Sequence, residues 1–293
     1  MNGWLPALEN PTAATTIAAN AGAFTKEYAT FTYDTTPATL HITTPPFDGS
    51  AYRSSNLPAA FAGDSSDSVS GVASVQIAIQ DGSGDYWGGS AFDHATSFFD
   101  ATGGTTAGWT YSTTALAGQL TDGHTYTITA KATDNAGNVT TTTRMFAYNT
   151  AAPTVHITTP PAEGLAYKAS TLPGSFAGDS NSATSTVTSV QVAIQDGAGN
   201  YWDGSDFTQA GIAFNATGGT ANWTYSTTTL AGQLTDGHIY TITTKATDNA
   251  GNPTTTTRTF AYDTTAPSVA VTTPPLDGMT SEQVMERSAR EIG

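Results

Sequence analysis

Leu120 to Tyr148 reads LTDGHTYTITAKATDNAGNVTTTTRMFAY, and Leu234 to Tyr262 returns it almost letter for letter as LTDGHIYTITTKATDNAGNPTTTTRTFAY. In the first copy a turn, TDGH, precedes an alternating run. Tyr126, Ile128, Ala130 and Ala132 fall on one side of that run, and Thr125, Thr127, Thr129 and Lys131 on the other. A period of two predicts a β-strand with one buried face. Asp134 to Asn138, DNAGN, supplies the residue types of a tight turn. A second threonine-rich strand then ends at Phe146-Ala147-Tyr148. The unit is strand, turn, strand, present twice, and it speaks of architecture more than of activity.

The repetition extends outward from that hairpin. DTTPATLHITTPP at 34–46 returns as NTAAPTVHITTPP at 149–161 and again as DTTAPSVAVTTPP at 263–275, a period of 115 and then 114 residues. VQIAIQDGSGDYWGG at 75–89 returns as VQVAIQDGAGNYWDG at 190–204, and GWTYSTTALAGQLTDG at 108–123 as NWTYSTTTLAGQLTDG at 222–237. A period this long exceeds a solenoid unit and suits a self-contained domain repeated in tandem. The boundaries expected are 1–37 for the remnant of a preceding repeat and its linker, 38–149 and 150–264 for two full domains, 265–278 for the start of a truncated third repeat, and 279–293 for a tail that is disordered or a short helix.

Within the first full domain, Leu40 to Thr43 forms a short strand that Pro45 and Pro46 end, since proline cannot donate to a ladder. Leu57 to Gly63 reads as the second strand and Asp64 to Gly71 as a Ser/Asp loop. Val72 to Gln80 alternates, with Val75, Ile77 and Ile79 on one face, and is the candidate central strand. Tyr86-Trp87 opens an edge region, and Trp109-Thr110-Tyr111 begins a further strand. About seven short strands separated by turn signals predict an all-β, Greek-key sandwich, and the second domain repeats the order.

The composition limits the function classes. Nine Lys and Arg against twenty-four acids leave a formal charge of -15, which opposes binding to nucleic acid or to an anionic membrane. No cysteine is present, so stability rests on a packed core, with or without bound metal. Residues 1–20 lack the basic start and apolar run of a signal peptide, and no stretch is apolar enough to cross a bilayer as a helix. The expectation is a piece of a longer extracellular or cell-surface protein whose signal and anchor lie outside these residues.

Catalytic motifs are missing. No GxSxG stands between a strand and a helix, no glycine pair carries a P-loop lysine, and none of the five histidines has HExxH spacing. Tyr86-Trp87 and Tyr201-Trp202, beside DGSGD and DGAGN, are candidates for stacking on sugar rings, since strand alternation sends adjacent rings to opposite faces; the alternative is that one ring of each pair plugs the sandwich and the other is incidental.

The spacing Leu120-x5-Tyr126-x5-Ala132-x-Asp134-x2-Gly137 resembles the corner and following strand of immunoglobulin-like and fibronectin type III domains. DTTxP, ATDNAGN and TFxYDTT together more closely resemble bacterial Ig-like domains, which occur in arrays in surface adhesins, in biofilm-associated proteins and beside catalytic modules of secreted enzymes. The likeness covers nearly all of 38–263. It implies tandem immunoglobulin-like, fibronectin III-like sandwiches, with Tyr126 and Tyr240 as structural tyrosine corners that bond to nearby backbone.

The same resemblance places the loop ends of successive domains together. It implies an interdomain calcium site between the two full domains, made from Asp122, Asn149, Asp179, Asp248 and Asn249, all oxygen donors of the kind Ca²⁺ takes; the alternative is that DNAGN is only a turn in which Asp134 and Asp248 accept from their own loop amides. Asn149 supplies a neutral oxygen where Asp34 and Asp263 supply charge. The function expected is non-enzymatic: structural spacer repeats, an adhesin stalk, with neighbouring repeats as partners. The alternative is a carbohydrate-binding or accessory module of a secreted enzyme, with a glycan or cell-surface ligand.

Overall fold

A computed structural model describes residues 17–18, 28–29, 32–101, 103–212, 214–270 and 280–291. The remaining parts of the expected remnant at 1–37 and of the third repeat at 265–278 lie outside the described residues. Two short strands, β1 (Ile17–Ala18) and β2 (Tyr28–Ala29), pair antiparallel ahead of the first sandwich.

That sandwich is built from β3 (Thr39–Thr44), β4 (Ser50–Tyr52), β5 (Ala60–Ser66), β6 (Val72–Gln80), β7 (Tyr86–Trp87), β8 (Phe92–His94), β9 (Phe99–Asp100), β10 (Gly103–Gly104), β11 (Gly108–Ser112), β12 (His124–Asp134) and β13 (Val139–Tyr148). One sheet runs β10-β11-β5-β3. The other runs β4-β13-β12-β6-β7-β8, with β9 also on β6. The second sandwich repeats the plan with β14 (Thr154–Thr159), β15 (Leu165–Tyr167), β16 (Ser175–Asn181), β17 (Val187–Gln195), β18 (Tyr201–Trp202), β19 (Phe207–Gln209), β20 (Asn215–Ala216), β21 (Asn222–Ser226), β22 (His238–Asp248) and β23 (Pro253–Tyr262). Its sheets are β14-β16-β21 and β15-β23-β22-β17-β18-β19, with β20 on β17. Helix α1 (Ser281–Glu291) follows. No described helix is long and apolar enough to cross a membrane.

The architecture is the all-β pair of tandem sandwiches that the alternation predicts. β12 buries Tyr126, Ile128, Ala130 and Ala132 and leaves its threonines toward the other side, as period two requires. β6 has the predicted ends, and its Val75, Ile77 and Ile79 are buried beside β12. The two sheets meet through aromatic rings. Tyr126 stacks on Phe146 at 5.3 Å, and Phe146 meets Phe61 of the opposite sheet at the same distance. Each such ring buries a large apolar area, so these contacts carry much of the core.

Two strands depart from expectation. β5 starts later and runs on to Ser66, because Pro58 and Ala59 give their carbonyls to Thr113 instead of to a ladder. Its far end stays in register because buried Ser65 points inward and donates to the Thr106 carbonyl. β4 is too short to show alternation. It is defined by parallel pairing with the end of β13, Ser50 opposite Phe146 and Tyr52 opposite Tyr148.

Candidate functional site at the repeat junctions

The Tyr-Trp pairs do not form a stacking platform. Trp87 and Trp202 are core residues, at 1% and 0% exposure. Their indole N–H groups donate to Tyr111 Oη (3.1 Å) and Tyr225 Oη (2.8 Å), and the rings pack on Phe92 and Phe207. Trp87 and Trp202 are thereby removed as stacking candidates: strand alternation turns the larger, more apolar ring inward to plug the core, leaving Tyr86 and Tyr201 half-buried outside. Burial raises the Tyr111 and Tyr225 phenols above their ordinary value, against the opposing hydrogen bonds from the tryptophans.

Tyr126 and Tyr240 stand near the start of β12 and β22, just after the corner. Each is buried, and its Oη accepts a hydrogen bond at 2.8 Å from the backbone N–H five residues upstream, Thr121 or Thr235. The hydroxyl thereby satisfies a main-chain donor at the point where the chain enters its longest strand.

The richest polar geometry lies where one repeat meets the next. Between the two sandwiches, Asn149 is 1% exposed and bonded on both sides. Its N–H donates to the Tyr52 carbonyl of the first sandwich at 2.8 Å. Its Nδ2 donates to Asp248 Oδ2 of the second at 2.8 Å, its Oδ1 accepts from Thr184 Oγ1 at 2.7 Å, and its carbonyl accepts from Asn252 Nδ2 at 3.0 Å. Nearby, Asn56 Nδ2 donates to the Ala250 carbonyl at 2.9 Å, and Thr184 packs against Gly123.

The structure brings together only Asn149 and Asp248 of the five residues expected to hold calcium. Asp122 is a linker clamp: its Oδ1 accepts from Thr150 N–H, Thr150 Oγ1 and Ala151 N–H. The Thr150 amide is the main reason that its carboxyl sits below the ordinary range, with burial opposing. Asp236 holds Thr264 and Thr265 in the same way. Asp179 stands on β16, half-buried, with its Oδ1 2.7 Å from His156 Nδ1, because buried Ser180 keeps the strand in register beyond it. Asn249 is an exposed turn residue whose N–H donates to the Thr186 carbonyl. The expected five-residue cage is therefore not assembled there.

Ahead of the first sandwich the equivalent place is different. Asp34, Asp67 and Asp134 each offer a carboxylate oxygen, and these oxygens all lie within 4.8 Å of one another. Asp67 comes from the loop after β5, where its Oδ1 accepts the amides of Val69, Ser70 and Gly71. Those bonds, led by Gly71, hold its carboxyl below the ordinary value. Asp134 Oδ1 accepts from Ala136 and Asn138 amides and Oδ2 from Asn138 Nδ2. Burial pushes this carboxyl up, but the Asn138 bonds and the turn amides leave it net low. Asp34 Oδ1 accepts from Thr36 N–H at 2.9 Å, while its Oδ2 is closed off from solvent with no hydrogen-bond partner.

The donor set of this trio suits a divalent cation. Two oxygens on one Ca²⁺ at its usual bond length of about 2.4 Å can be at most about 4.8 Å apart, and the three carboxylate oxygens lie within that limit. Three carboxylates this close repel unless a cation lies between them, and an enclosed, unbonded carboxylate oxygen is costly without one. Asp67 escaped the sequence reading. The signal available was a paired loss: where the first repeat has Asp34 and Asp67, the second has Asn149 and Ser182.

Among solved structures, the fibronectin(III)-like modules of Clostridium thermocellum CbhA are 11% identical, with 77% of this chain and 94% of that one covered at a TM-score of 0.37. A 1.5-MDa bacterial ice-binding adhesin is 15% identical over 80% of this chain and 67% of that one, at 0.35. A tetra-tandem repeat from the extending region of a large adhesion protein is 19% identical over 82% and 53%, at 0.32. Likeness at this level says nothing about function. No curated protein matches the chain. The two sandwiches repeat one strand order, and the sequence profile of the bacterial Ig-like domain (group 3) matches residues 9–157 and 216–273, more than half of the chain, so the chain belongs to that family.

Proposed function

We propose that this chain is a run of non-enzymatic spacer repeats, units 38–149 and 150–264, within a longer extracellular or cell-surface protein, and that neighbouring Ig-like repeats are its main partners. The observation that carries this reading is the linker itself. Asn149 is buried and bonded to Tyr52 on one side and to Asp248, Thr184 and Asn252 on the other. A linker built into both neighbours sets the direction of the next unit. Near-copy units are useful as spacers at any number, whereas copying a recognition site adds avidity only.

The joint ahead of the first sandwich is proposed to close on Ca²⁺ held by Asp34, Asp67 and Asp134. The ion would supply the positive charge that the three carboxylates lack, and binding the folded state would stabilise it by mass action. Calorimetric titration of the full chain with calcium tests this: the parent releases binding heat and melts higher in calcium, and Asp67→Asn loses both. Equal titrations for parent and variant would overturn the cation joint. Retention of the parent on a polysaccharide column, lost in Tyr86→Ala with Tyr201→Ala, would instead favour the carbohydrate-binding module.

A further inference from the structure

The linker residues of the two joints differ by one atom, and that atom decides what faces what. Asp34 and Asn149 occupy the same place in successive repeats, 115 residues apart. Each uses one side-chain oxygen in the same way: Asp34 Oδ1 accepts from Thr36 N–H at 2.9 Å, and Asn149 Oδ1 from Ala151 N–H at 3.2 Å. A main-chain N–H can only donate, so the carboxamide oxygen of Asn149 belongs on that side and its nitrogen on the other. The other arm of Asp34 is Oδ2, enclosed and without a partner. The other arm of Asn149 is Nδ2, which donates to Asp248 Oδ2 at 2.8 Å.

The rest of the second joint is adjusted to match. Ser182 stands where the first repeat has Asp67. Its hydroxyl bonds that of Ser185 at 2.8 Å, and Ser185 Oγ donates to Asp248 Oδ2 at 3.0 Å. Asp248 Oδ1 accepts from the amides of Ala250 and Asn252, and Oδ2 accepts also from Asn252 Nδ2. Both carboxylate oxygens are thus fully engaged by N–H and O–H donors. Asn149, Asp248 and Asn252 are at most 5% exposed, and a buried network in which every member is satisfied rigidifies its surroundings.

We infer that the chain contains two kinds of joint, and that the one between the full sandwiches is locked by the Asn149 carboxamide in place of a cation. The amide brings the positive end of a dipole to Asp248 where, one repeat earlier, an oxygen of Asp34 faces Asp134. Calcium depletion therefore loosens the first joint and leaves the second rigid. Only the first half of that contrast rests on the cation reading above.

The chain has no cysteine, so Thr141→Cys with Thr255→Cys, at exposed positions on β13 and β23, places one spin label on each sandwich of the full chain. Pulsed dipolar spectroscopy then reads the second joint alone. The expected distance distribution is the same in millimolar calcium and in excess chelator. Asn149→Ala broadens it in both conditions. Asn149→Asp with Ser182→Asp, which rebuilds the carboxylate trio, is broad in chelator and narrow in calcium. A parent distribution that broadens on chelation, an Asn149→Ala distribution as narrow as the parent's, or a double variant indifferent to calcium would each overturn the amide lock. Unchanged near-ultraviolet circular dichroism confirms intact sandwiches. Failure of Asp67→Asn to alter the calcium titration would count against the first joint only.

Discussion

The indole of Trp109 occupies the space that a side chain on Gly63 would need. The two are register partners on β11 and β5, and a Cβ on Gly63 would stand 2.2 Å from Trp109 Cζ2 and 2.0 Å from the His41 carbonyl oxygen. Trp223 covers Gly178 in the same way, at 2.4 Å, with the His156 oxygen at 1.9 Å. Both tryptophans are buried in the middle of their cores.

Gly63→Ala is expected to destabilise the first sandwich by about 3 kcal/mol, since even a methyl must displace either the ring or a neighbouring strand. Differential scanning calorimetry of the full chain would show a lowered transition for one sandwich and an unmoved one for the other. Gly178→Ala should reverse which transition moves. A parent-like scan for both variants would show that the ring has room to yield.

Trp87→Ala and Trp202→Ala are each expected to cost about 3–5 kcal/mol, the usual loss for removing a large buried aromatic, and each also leaves a tyrosine hydroxyl, Tyr111 or Tyr225, without its indole donor. Chemical denaturation measures the loss. Retention on polysaccharide columns should be the same before and after substitution. A variant of undiminished stability that lost polysaccharide retention would return these rings to a binding role.

Acid should unlock the linker clamp at Asp122. Its carboxyl is held below the ordinary 3.8, first by the Thr150 amide. A depressed folded value means stabilisation that is complete above the unfolded value and is lost as pH falls through the folded one. Asp122→Asn is therefore expected to melt lower than the parent at neutral pH and to converge with it below pH 3.8. Melting curves of the two chains across that range test the sign; a gap that persists into acid would assign the loss to packing.

Much of this molecule could be read from residue order because its strands are half-buried. β12 shows its inner face in Tyr126, Ile128, Ala130 and Ala132, and β6 in Val75, Ile77 and Ile79. Alternation is visible wherever one face meets water and the other does not. It was uninformative for Tyr86-Trp87, where two adjacent aromatics both satisfy the pattern and only packing decides which goes in. Composition misled at Asp64 and Asp179, whose Ser/Asp neighbourhood reads as loop although Ser65 and Ser180 bury their hydroxyls on carbonyls and extend the strands. The Asp34, Asp67 and Asp134 cluster joins residues one hundred positions apart, and Asp67 is held in it by a loop whose three amides fold around its carboxylate. No local spacing records such a meeting.

The short parallel pairing of β4 with β13 also settles how a unit would bear load. The first sandwich is approached by the chain just before β3 and left just after β13, and β4 lies close behind the first of these points. Opposed tension on the two ends pulls β4 and the tail of β13 past one another along their length. Their register bonds, from Ser50–Phe146 to Tyr52–Tyr148, and the flanking bonds from Gly49 to Met145 and from Asn149 to Tyr52 then stretch together. Hydrogen bonds strained in shear share the load, whereas bonds peeled from one end fail in turn. Three residues too few to reveal themselves as a strand thus form a mechanical fastening at the point where tension would pass from one repeat to the next.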